Sequence, residues 1–310
     1  MVIEKNQLEE LAKISGGIFA VKGIDEAFDF CKKIALGHYE NFPVGSILIS
    51  KKLRKHFFSI YAFARIADDI ADELSKIKTK EIALQVLDEF NSSLNWIYDN
   101  KDATVTNPIF FALRETIHTF NIPKKTFEKL IIAFKSDINF TPYKTFQDVL
   151  DYCDNSANPI GELLLRLHNE YNEENLILSN YICSGLQLIN FWQDLSIDLK
   201  RNRSYIPLEI SQKYVKLEDN EMLKELIVFT REMMKKGEKL LQNISNFRFR
   251  VELAMIISGG NFVLKEIEKL EKNIFEKRPK IRKNDLIKIF YNAIVLLIDY
   301  PVKLRLPPLL

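Results

Sequence analysis

The sequence predicts an all-α fold in a single domain, and three observations support that prediction. Apolar residues recur at i, i+3 and i+4 along most of the chain, whereas strand-like alternation is rare. Only 10 Gly and 10 Pro occur among 310 residues, which favours long helices over many turns. No repeat, low-complexity stretch or linker-like composition divides the chain. We therefore expect one helical domain over 1–310, with its core at about 20–275 and a basic and apolar tail at 277–310.

The periodicity predicts eleven helices along this domain. They are expected over 24–38, 50–74, 78–99, 107–119, 124–138, 145–153, 159–170, 173–200, 220–243, 247–273 and 282–298. Prolines mark their starts or breaks at Pro43, Pro108, Pro123, Pro159, Pro207, Pro279 and Pro301. The helix at 173–200 is apolar on several sides, so we expect it to be central and buried. Gly185 in its middle costs about 1 kcal/mol in helix propensity, which close packing or a ligand wall would explain.

Composition excludes several classes of protein. The chain is 47% apolar and 28% charged, which is typical of a globular protein. Its net charge of +2 provides no overall attraction to nucleic acid. Three Cys without metal-ligand spacing argue against a disulfide scaffold and favour a reducing, cytoplasmic setting. The N-terminal residues do not resemble a signal peptide, and no apolar run reaches the roughly 18 residues that span a bilayer.

The C-terminal part joins a basic stretch at 277–283 to an apolar run at 289–298. The run is too short to cross a membrane. Two interpretations stay open. In one, the segment lies peripherally on the inner face of the membrane, with its bases near anionic headgroups. In the other, it is a core helix followed by a solvated tail.

Two aspartate pairs at helical spacing are the strongest indication of function. Asp68 and Asp72 lie one helical turn apart, and Tyr61 and Arg65 precede them on the same stripe. Because burying an unpaired charge is costly, a single such pair usually marks a solvated helix face. Here, however, a second pair occurs far along the chain.

The second pair is Asp194 and Asp198, with Gln187 and Asn190 before it on one stripe. Both pairs lie in predicted helices that are otherwise apolar, which predicts that the pairs share a metal-filled cavity. Carboxylate and amide oxygens are hard ligands that suit Mg²⁺, which typically bridges a few carboxylates and substrate phosphates. Arg65 and the Lys200–Arg203 cluster are cationic partners for phosphate oxygens. Together these groups would bind a diphosphate and help it leave.

Other residues near the motifs have two interpretations each. Asp69 is either a residue behind the metal ligands or a solvent-exposed one. His38 is either a core histidine or a phosphate contact. Phe42, Phe63, Phe191 and Trp192 are either core aromatics or faces that stabilise a carbocation in a dry site.

Several segments resemble the squalene/phytoene synthase family. They are residues 37–44, 61–73, 151–161, 187–198 and 201–207, and the resemblance covers roughly 20–275. It implies an all-α isoprenoid-synthase helical bundle with a central active-site cavity. It also implies an enzyme using Mg²⁺ on an isoprenoid diphosphate substrate, farnesyl diphosphate or its C30 product.

The resemblance also implies roles for individual residues. The catalytic residues would be Asp68, Asp72, Asp194, Asp198 and Tyr61. Two or three Mg²⁺ ions would be held with the diphosphate by Asp68, Asp72, Asn190, Asp194 and Asp198. Substrate would be bound by His38, Phe42, Arg65, Gln187, Asn190, Gln193, Arg201, Arg203 and Tyr205.

Within the family, residues 38–44, 156–159 and 190–194 look like the HpnC branch of hopanoid biosynthesis. Other members commonly have Arg where this chain has Gln193, and many have Tyr near Gly260, where Gly259 and Gly260 are expected to open space. The branch implies that presqualene diphosphate ionises and rearranges, and that water captures the cation to give hydroxysqualene. No Gly-rich nicotinamide motif is visible, so no NADPH is expected.

Three alternatives remain. One is a squalene, dehydrosqualene or presqualene diphosphate synthase that condenses two farnesyl diphosphates. A second is a head-to-tail prenyl diphosphate synthase, because residues 68–72 read Asp-Asp-x-x-Asp, although the second motif lacks the doubled Asp. The third, from another class, is a non-catalytic assembly factor of the same fold, which would be free to lose the acidic pairs that are intact here.

Overall fold

The computed structural model describes residues 21, 23–37, 49–100, 105–215 and 219–303. Within these residues all regular secondary structure is helical, so the predicted all-α fold is confirmed. The chain divides into two compact units, the first ending at Phe140 and the second beginning at Thr141.

Among its described residues, the first unit contains five helices, one π-helical turn and one short helical turn. They are α1 (Ile24–Gly37), α2 (Lys51–Asp69), the π turn (Ile70–Leu74) with a short helical turn (Ser75–Ile77), α3 (Lys80–Asp99), α4 (Pro108–Phe120) and α5 (Lys124–Ile138). The start of α4 is set by local chemistry, since the Asn107 side chain accepts hydrogen bonds from the next backbone N–H groups and Pro108 follows at the first helical position.

Aromatic packing forms the centre of the first unit. Phe63 on α2 lies 5.0 Å from the Phe90 ring and 5.2 Å from the Phe127 ring, centroid to centroid. Phe110 on α4 completes the cluster, 4.8 Å from Phe90. All four side chains are buried. Phe63 is therefore a core aromatic, and its packing holds α2 in place beneath the first acidic motif.

The second unit contains nine helical segments among its described residues. They are α6 (Phe146–Ser156), α7 (Asn158–Leu167), α8 (Glu173–Gln193), α9 (Leu195–Asp198), α10 (Leu208–Ser211), α11 (Asn220–Glu238), α12 (Leu240–Asn243), α13 (Phe247–Leu270) and α14 (Asp285–Asp299). Short 3₁₀ turns follow α9 at Leu199–Arg201 and α13 at Glu271–Phe275.

Helix α8 is the centre of the second unit, packed against α6, α7, α11 and α13. A Cβ atom at Gly185 would lie 2.6 Å from Met234 Sδ, so close packing against α11 explains this glycine. The indole N–H of Trp192 donates to Thr230 Oγ1 at 2.9 Å, and Trp192 is fully buried. Trp192 is thus a core aromatic that fixes α8 to α11.

Two of the predicted helices stop at the acidic motifs. The helix expected over 173–200 ends at Gln193, because the backbone of Asp194 leaves the helical region (φ −97°, ψ 5°) and a new turn begins. The helix expected over 50–74 is regular only to Asp69, where the π turn starts. Asp has a low helix propensity in a helix interior, and both breaks fall where the acidic motifs interrupt an otherwise apolar sequence.

The segment after Phe275 is fastened to the second unit. Arg250 on α13 donates from Nη2 to the carbonyl oxygens of Leu297 at 2.8 Å and Tyr300 at 2.7 Å, at the C-terminal end of α14. The hydroxyl of Tyr300 donates to Glu238 at 3.0 Å. The two Arg250 bonds satisfy carbonyls that a helix end leaves without partners. None of the described helices combines the length and apolar character that crossing a membrane requires.

Candidate active site

The first acidic motif is organised around Arg65 on α2. Its Nη1 lies 3.3 Å from Asp68 Oδ2 and its Nη2 lies 2.5 Å from Asp69 Oδ1. Asp69 is buried, so it is a partner that orients Arg65 and not a solvent-exposed acid. Tyr61 lies one turn earlier; burial raises the pKa of its hydroxyl, with Arg65 and Asp68 close enough to influence it. The structure thus groups Tyr61, Arg65 and Asp68 as the spacing predicts.

Asp72 lies in the π turn and not in regular α-helix. A π turn bonds each residue five positions along the chain, so Asp72 is displaced from the stripe that a regular helix would form. It nevertheless remains near Asp68. The pKa of Asp68 is raised to about 6, first by burial and then by the Asp72 charge, while Arg65 opposes the rise. Two carboxylates that repel in this way are stabilised when a cation lies between them.

The second acidic motif spans the break between α8 and α9. The backbone N–H of Asp198 donates to the Asp194 carbonyl at 2.9 Å, so the two acids begin and end one helical turn. The pKa of Asp198 is raised to about 6, first by burial and then by the charge of Asp194. The positive charges of Arg201, Arg203 and Arg278 lower this pKa. The motif therefore combines repelling carboxylates with nearby guanidinium groups, as the first motif does.

The loop after α9 folds back onto Asp198. Asn202 adopts a left-handed conformation (φ 55°), which Asn tolerates better than most residues. The backbone N–H of Arg203 then donates to the Asp198 carbonyl at 2.9 Å. This reversal brings Arg201 and Arg203, both predicted to bind substrate, within electrostatic reach of the Asp198 carboxylate.

Arg278 is a member of this site that the sequence did not indicate. Its guanidinium pairs with Asp194, through Nε to Oδ1 and through Nη2 to Oδ2 at 3.5 Å. Gln193 Nε2 donates to the carbonyl of Pro279 at 2.8 Å and holds the same segment. The side chains of Arg278 and Asp194 are 40% and 32% exposed, so a ligand can reach the pair. The only signal in the sequence was the basic stretch itself, and local spacing cannot connect residues 84 positions apart.

An aromatic cluster lies beside the second motif. The ring of Tyr205 stacks on Phe191 at 3.9 Å between centroids, nearly parallel. Tyr152 on α6 lies 5.9 Å from Phe191, and Tyr143 lies 6.1 Å from Tyr205. Tyr205 and Phe191 are buried, so the ring of Tyr205 is a packed wall. The residue pattern did not single out Tyr143 or Tyr152 as site residues, although Tyr152 lies in segment 151–161, which carries the family resemblance.

Four predicted site residues remain, namely Gln187, Asn190, His38 and Phe42. Gln187 is half-buried on α8, while the Asn190 side chain is exposed between the buried Ile189 and Phe191. Both precede Asp194 on α8, and the Asp194 N–H donates to the Asn190 carbonyl at 3.0 Å. His38 and Phe42 lie outside the described residues. The two acidic motifs belong to different units, and their sharing of one cavity stays a prediction.

One sequence expectation about glycine is wrong. Gly260 does not open space, because a Cβ atom there would lie 2.5 Å from Leu186 Cδ2 and 3.3 Å from Ile189 Cδ1. It packs closely against α8. A Cβ at Gly259, in contrast, would meet nothing within 4 Å.

Among the described residues, no group of three or more His, Cys, Asp or Glu is placed to hold a metal ion alone. Each motif instead offers two carboxylates and neighbouring arginines. That donor set fits a cation that takes its other ligands from a bound anion. It does not fit a closed structural zinc site.

Comparisons with known proteins agree with these features. Residues 36–285 match the model of the squalene/phytoene synthase family. A hydroxysqualene synthase of Zymomonas mobilis is 30% identical over 236 residues, which cover 71% of this chain and 76% of that protein. The solved structure of squalene synthase HpnC from Alicyclobacillus acidocaldarius is 29% identical, with a TM-score of 0.74 over 83% of this chain and 98% of that one. A dehydrosqualene synthase structure with ligand, 18% identical, matches the fold with a TM-score of 0.77 over 89% of this chain and 98% of that one.

Proposed function

Because the chain belongs to the squalene/phytoene synthase family, whose members are enzymes of isoprenoid synthesis that act on isoprenoid diphosphates, we propose that it converts presqualene diphosphate and water to hydroxysqualene, releasing diphosphate. The observation that best supports this proposal is the similarity, across most of the chain, to proteins named hydroxysqualene synthase, with both acidic pairs intact. The surroundings of the two pairs suit a cation and a diphosphate.

The residues present fit Mg²⁺. Asp68 with Asp72, and Asp194 with Asp198, supply hard oxygen ligands whose mutual repulsion a divalent cation would relieve. When bound, Mg²⁺ would neutralise the charge that develops on the leaving diphosphate. Asp69 contributes indirectly, since its ion pair keeps Arg65 beside Asp68.

The arginines of each motif bind the phosphate oxygens. Arg65 lies beside the first acidic pair, while Arg201, Arg203 and Arg278 surround the second. A guanidinium group offers a planar fork of donors that matches phosphate oxygens. Arg278 pairs with Asp194, and an incoming diphosphate would offer it a more highly charged partner. Arg278 therefore exchanges a carboxylate for phosphate oxygens as substrate binds.

The aromatic cluster of Tyr143, Tyr152, Phe191 and Tyr205 provides a dry wall beside the second motif. Aromatic faces carry negative potential that stabilises a nearby carbocation. Exclusion of bulk water prevents random capture of that cation. Gln193 has no charge at a position where, by the family resemblance, other members commonly have Arg, and its amide donates to the Pro279 carbonyl. The absence of this cation favours conversion of presqualene diphosphate to hydroxysqualene over condensation of two farnesyl diphosphates.

Product analysis tests the proposal. The protein is incubated with presqualene diphosphate and Mg²⁺ in ¹⁸O-labelled water, and the products are identified by mass spectrometry. We expect hydroxysqualene carrying one ¹⁸O atom, because solvent water captures the cation. Squalene, dehydrosqualene or no turnover would contradict the proposal, and consumption of farnesyl diphosphate alone would favour a condensing synthase.

Asp194→Ala tests the metal and diphosphate assignment. We expect turnover to fall to background while the far-ultraviolet CD spectrum stays unchanged. The Asp194–Arg278 pair is partly exposed, so its loss costs less than about 1 kcal/mol of stability. Asp29→Ala, at an exposed position on α1, is the matched control and should keep full turnover.

A binding measurement separates an enzyme from a non-catalytic protein of the same fold. Mg²⁺ together with inorganic diphosphate should raise the melting temperature of the wild type, because a ligand that binds only the folded state stabilises it. The rise should be clearly smaller for Asp194→Ala, in which only the first acidic motif is intact. A wild type that shows no shift would favour the assembly-factor alternative.

A further inference from the structure

Helix α14 presents an apolar stripe to the outside of the second unit. Its members are Ile287, Phe290, Tyr291, Ile294 and Ile298, and their side chains are between 41% and 75% exposed. They follow one another at steps of three, one, three and four residues, which places them on one side of an α-helix. Isolated exposed apolar residues are common on proteins, whereas a continuous stripe usually marks an interaction surface.

The opposite side of α14 already has its partner. Ile289 and Ala293 are buried, and α14 packs there against α13. Arg250 binds the last carbonyls of the helix and fixes its position. The exposed stripe is therefore a second apolar surface, and α14 is not an ordinary core helix.

The segment that contains this stripe is rich in positive charge. Residues 277–303 contain seven Lys or Arg and two Asp, an excess of five positive charges, whereas the whole chain has a net charge of only +2. The basic residues are Lys277, Arg278, Lys280, Arg282, Lys283, Lys288 and Lys303. The surroundings of the stripe are thus complementary to an anionic surface.

A basic groove borders the stripe. It has a volume of about 760 Å³, runs between α13 and α14, and shares Ile287 and Tyr291 with the stripe. Lys265, Lys269 and Lys288 are among its lining residues. Lys269 pairs with Glu266, which also lines the groove, at 2.6 Å, and Lys288 lies 3.8 Å from Asp285, so the groove keeps a small excess of positive charge through Lys265. Lysines beside an apolar, aromatic stripe are the groups expected where headgroups meet acyl chains.

We propose that α14 binds an anionic lipid surface, lying in the plane of the interface with its apolar stripe inserted and the neighbouring bases near the headgroups. Its 15 residues are too few to span a bilayer, so the contact is peripheral. A second copy of the chain is the less suitable occupant. It would bring the same excess of positive charge into the interface, and that repulsion opposes association.

The contact would act close to the second acidic motif. Arg278 and Pro279, which bind Asp194 and Gln193, lie in the segment that leads directly into α14. A lipid-bound α14 is therefore attached through a short, fastened segment to that motif. The lipid-binding proposal itself stands on the exposed stripe and the charges, and does not depend on the reaction.

Vesicle flotation of the full chain tests the proposal. One set of vesicles contains phosphatidylglycerol and phosphatidylcholine in equal amounts, and the other contains phosphatidylcholine alone. We expect the wild type to float with the anionic vesicles, to float far less with the neutral ones, and to be released by high salt, because screening weakens attraction to headgroups. A wild type that remains in the soluble fraction with both sets, or floats equally with both, overturns the proposal.

Two triple variants separate the contributions. Ile287→Ser/Phe290→Ser/Ile298→Ser removes the apolar insertion and should lower the vesicle partition coefficient on the order of 100-fold or more. Lys280→Gln/Arg282→Gln/Lys283→Gln should lower it on the order of 100-fold on anionic vesicles only, at about fivefold per base. Unchanged flotation of the first variant overturns the proposal.

A matched control substitutes three similarly exposed apolar residues elsewhere, at Ile132, Ile177 and Val228, each to Ser. It should float as the wild type does. All substituted side chains are exposed, so CD spectra and melting temperatures should remain close to those of the wild type. Light scattering without vesicles gives the competing outcome: a wild-type dimer that the stripe variant converts to a monomer would assign the stripe to a second copy and overturn lipid binding.

Discussion

Acidification should weaken Mg²⁺ binding at each acidic motif, because one carboxyl of each pair titrates close to neutrality. The pKa values of Asp68 and Asp198 are both raised to about 6 by burial and by the neighbouring aspartate. A carboxyl binds metal in its deprotonated form. The affinity for Mg²⁺ is therefore highest above about pH 7 and falls as the pH drops through 6. At pH 5 only about a tenth of each carboxyl is ionised, which lowers the apparent affinity about tenfold. An aspartate with an ordinary pKa near 3.9 would be almost fully ionised there.

Isothermal titration of the protein with MgCl₂ at pH 5 and pH 7.5 measures this change without catalysis. At pH 5 the titration should also release protons, which two buffers of different ionisation enthalpy reveal. Asp68→Asn and Asp198→Asn each remove one titrating group, and each should abolish binding at its own motif. Affinities that agree within a factor of two at the two pH values would refute the argument.

Arg278→Gln extends this test to the residue that the tertiary structure added to the site. The Arg278 charge helps to hold the pKa of Asp198 down. Its removal should therefore move the pH midpoint of binding at the second motif upward and leave the first motif unchanged. A midpoint that does not move would show that Arg278 has no electrostatic influence on Asp198.

Two further predictions concern stability. Glu252 is buried, its Oε2 atom has no hydrogen-bond partner, and burial raises its pKa to about 7. The folded state therefore holds this proton more tightly than the unfolded state, so the free energy of unfolding falls by about 3 kcal/mol between pH 4.5 and 7. Glu252→Gln should remove that fall, which urea unfolding at the two pH values measures. Equal pH dependence of both proteins would contradict this prediction. Gly237→Ala should lower stability by about 1–3 kcal/mol, because its Cβ would lie 2.9 Å from the Ile182 backbone nitrogen. Gly259→Ala meets nothing within 4 Å and should raise stability by up to about 1 kcal/mol. Similar melting temperatures for the two variants would refute the packing argument.

Much of the helical architecture was predictable from local pattern, with specific exceptions. The starts of α4 and α5 at Pro108 and Lys124 agree with the prolines that mark them in the sequence. The end of α8 at Gln193 was not predictable, because apolar periodicity continues through residues 195–199 while the backbone turns at Asp194. The π turn at Ile70–Leu74 was missed for a similar reason, since a change of hydrogen-bond register leaves the apolar pattern intact.

The candidate site divides in the same way. The grouping of Tyr61, Arg65 and Asp68 follows from steps of four and three residues on one helix. The role of Asp69 required the structure, because its sequence position allows either solvent exposure or the buried ion pair with Arg65 that is present. Gly260 shows the limit of analogy: a small residue indicates room only when its neighbours leave room, and Leu186 does not.

By itself, the sequence determined that this protein is helical and carries two paired carboxylates suited to Mg²⁺ and a diphosphate. Those properties depend on neighbours within one helical turn, where spacing and geometry are equivalent. Only the tertiary structure decided that Arg278 pairs with Asp194, and that the outer face of α14 is apolar while its inner face is already packed. Both facts depend on how distant segments come together, and burial of a side chain is a property of the packed helices, not of the order of residues along one of them.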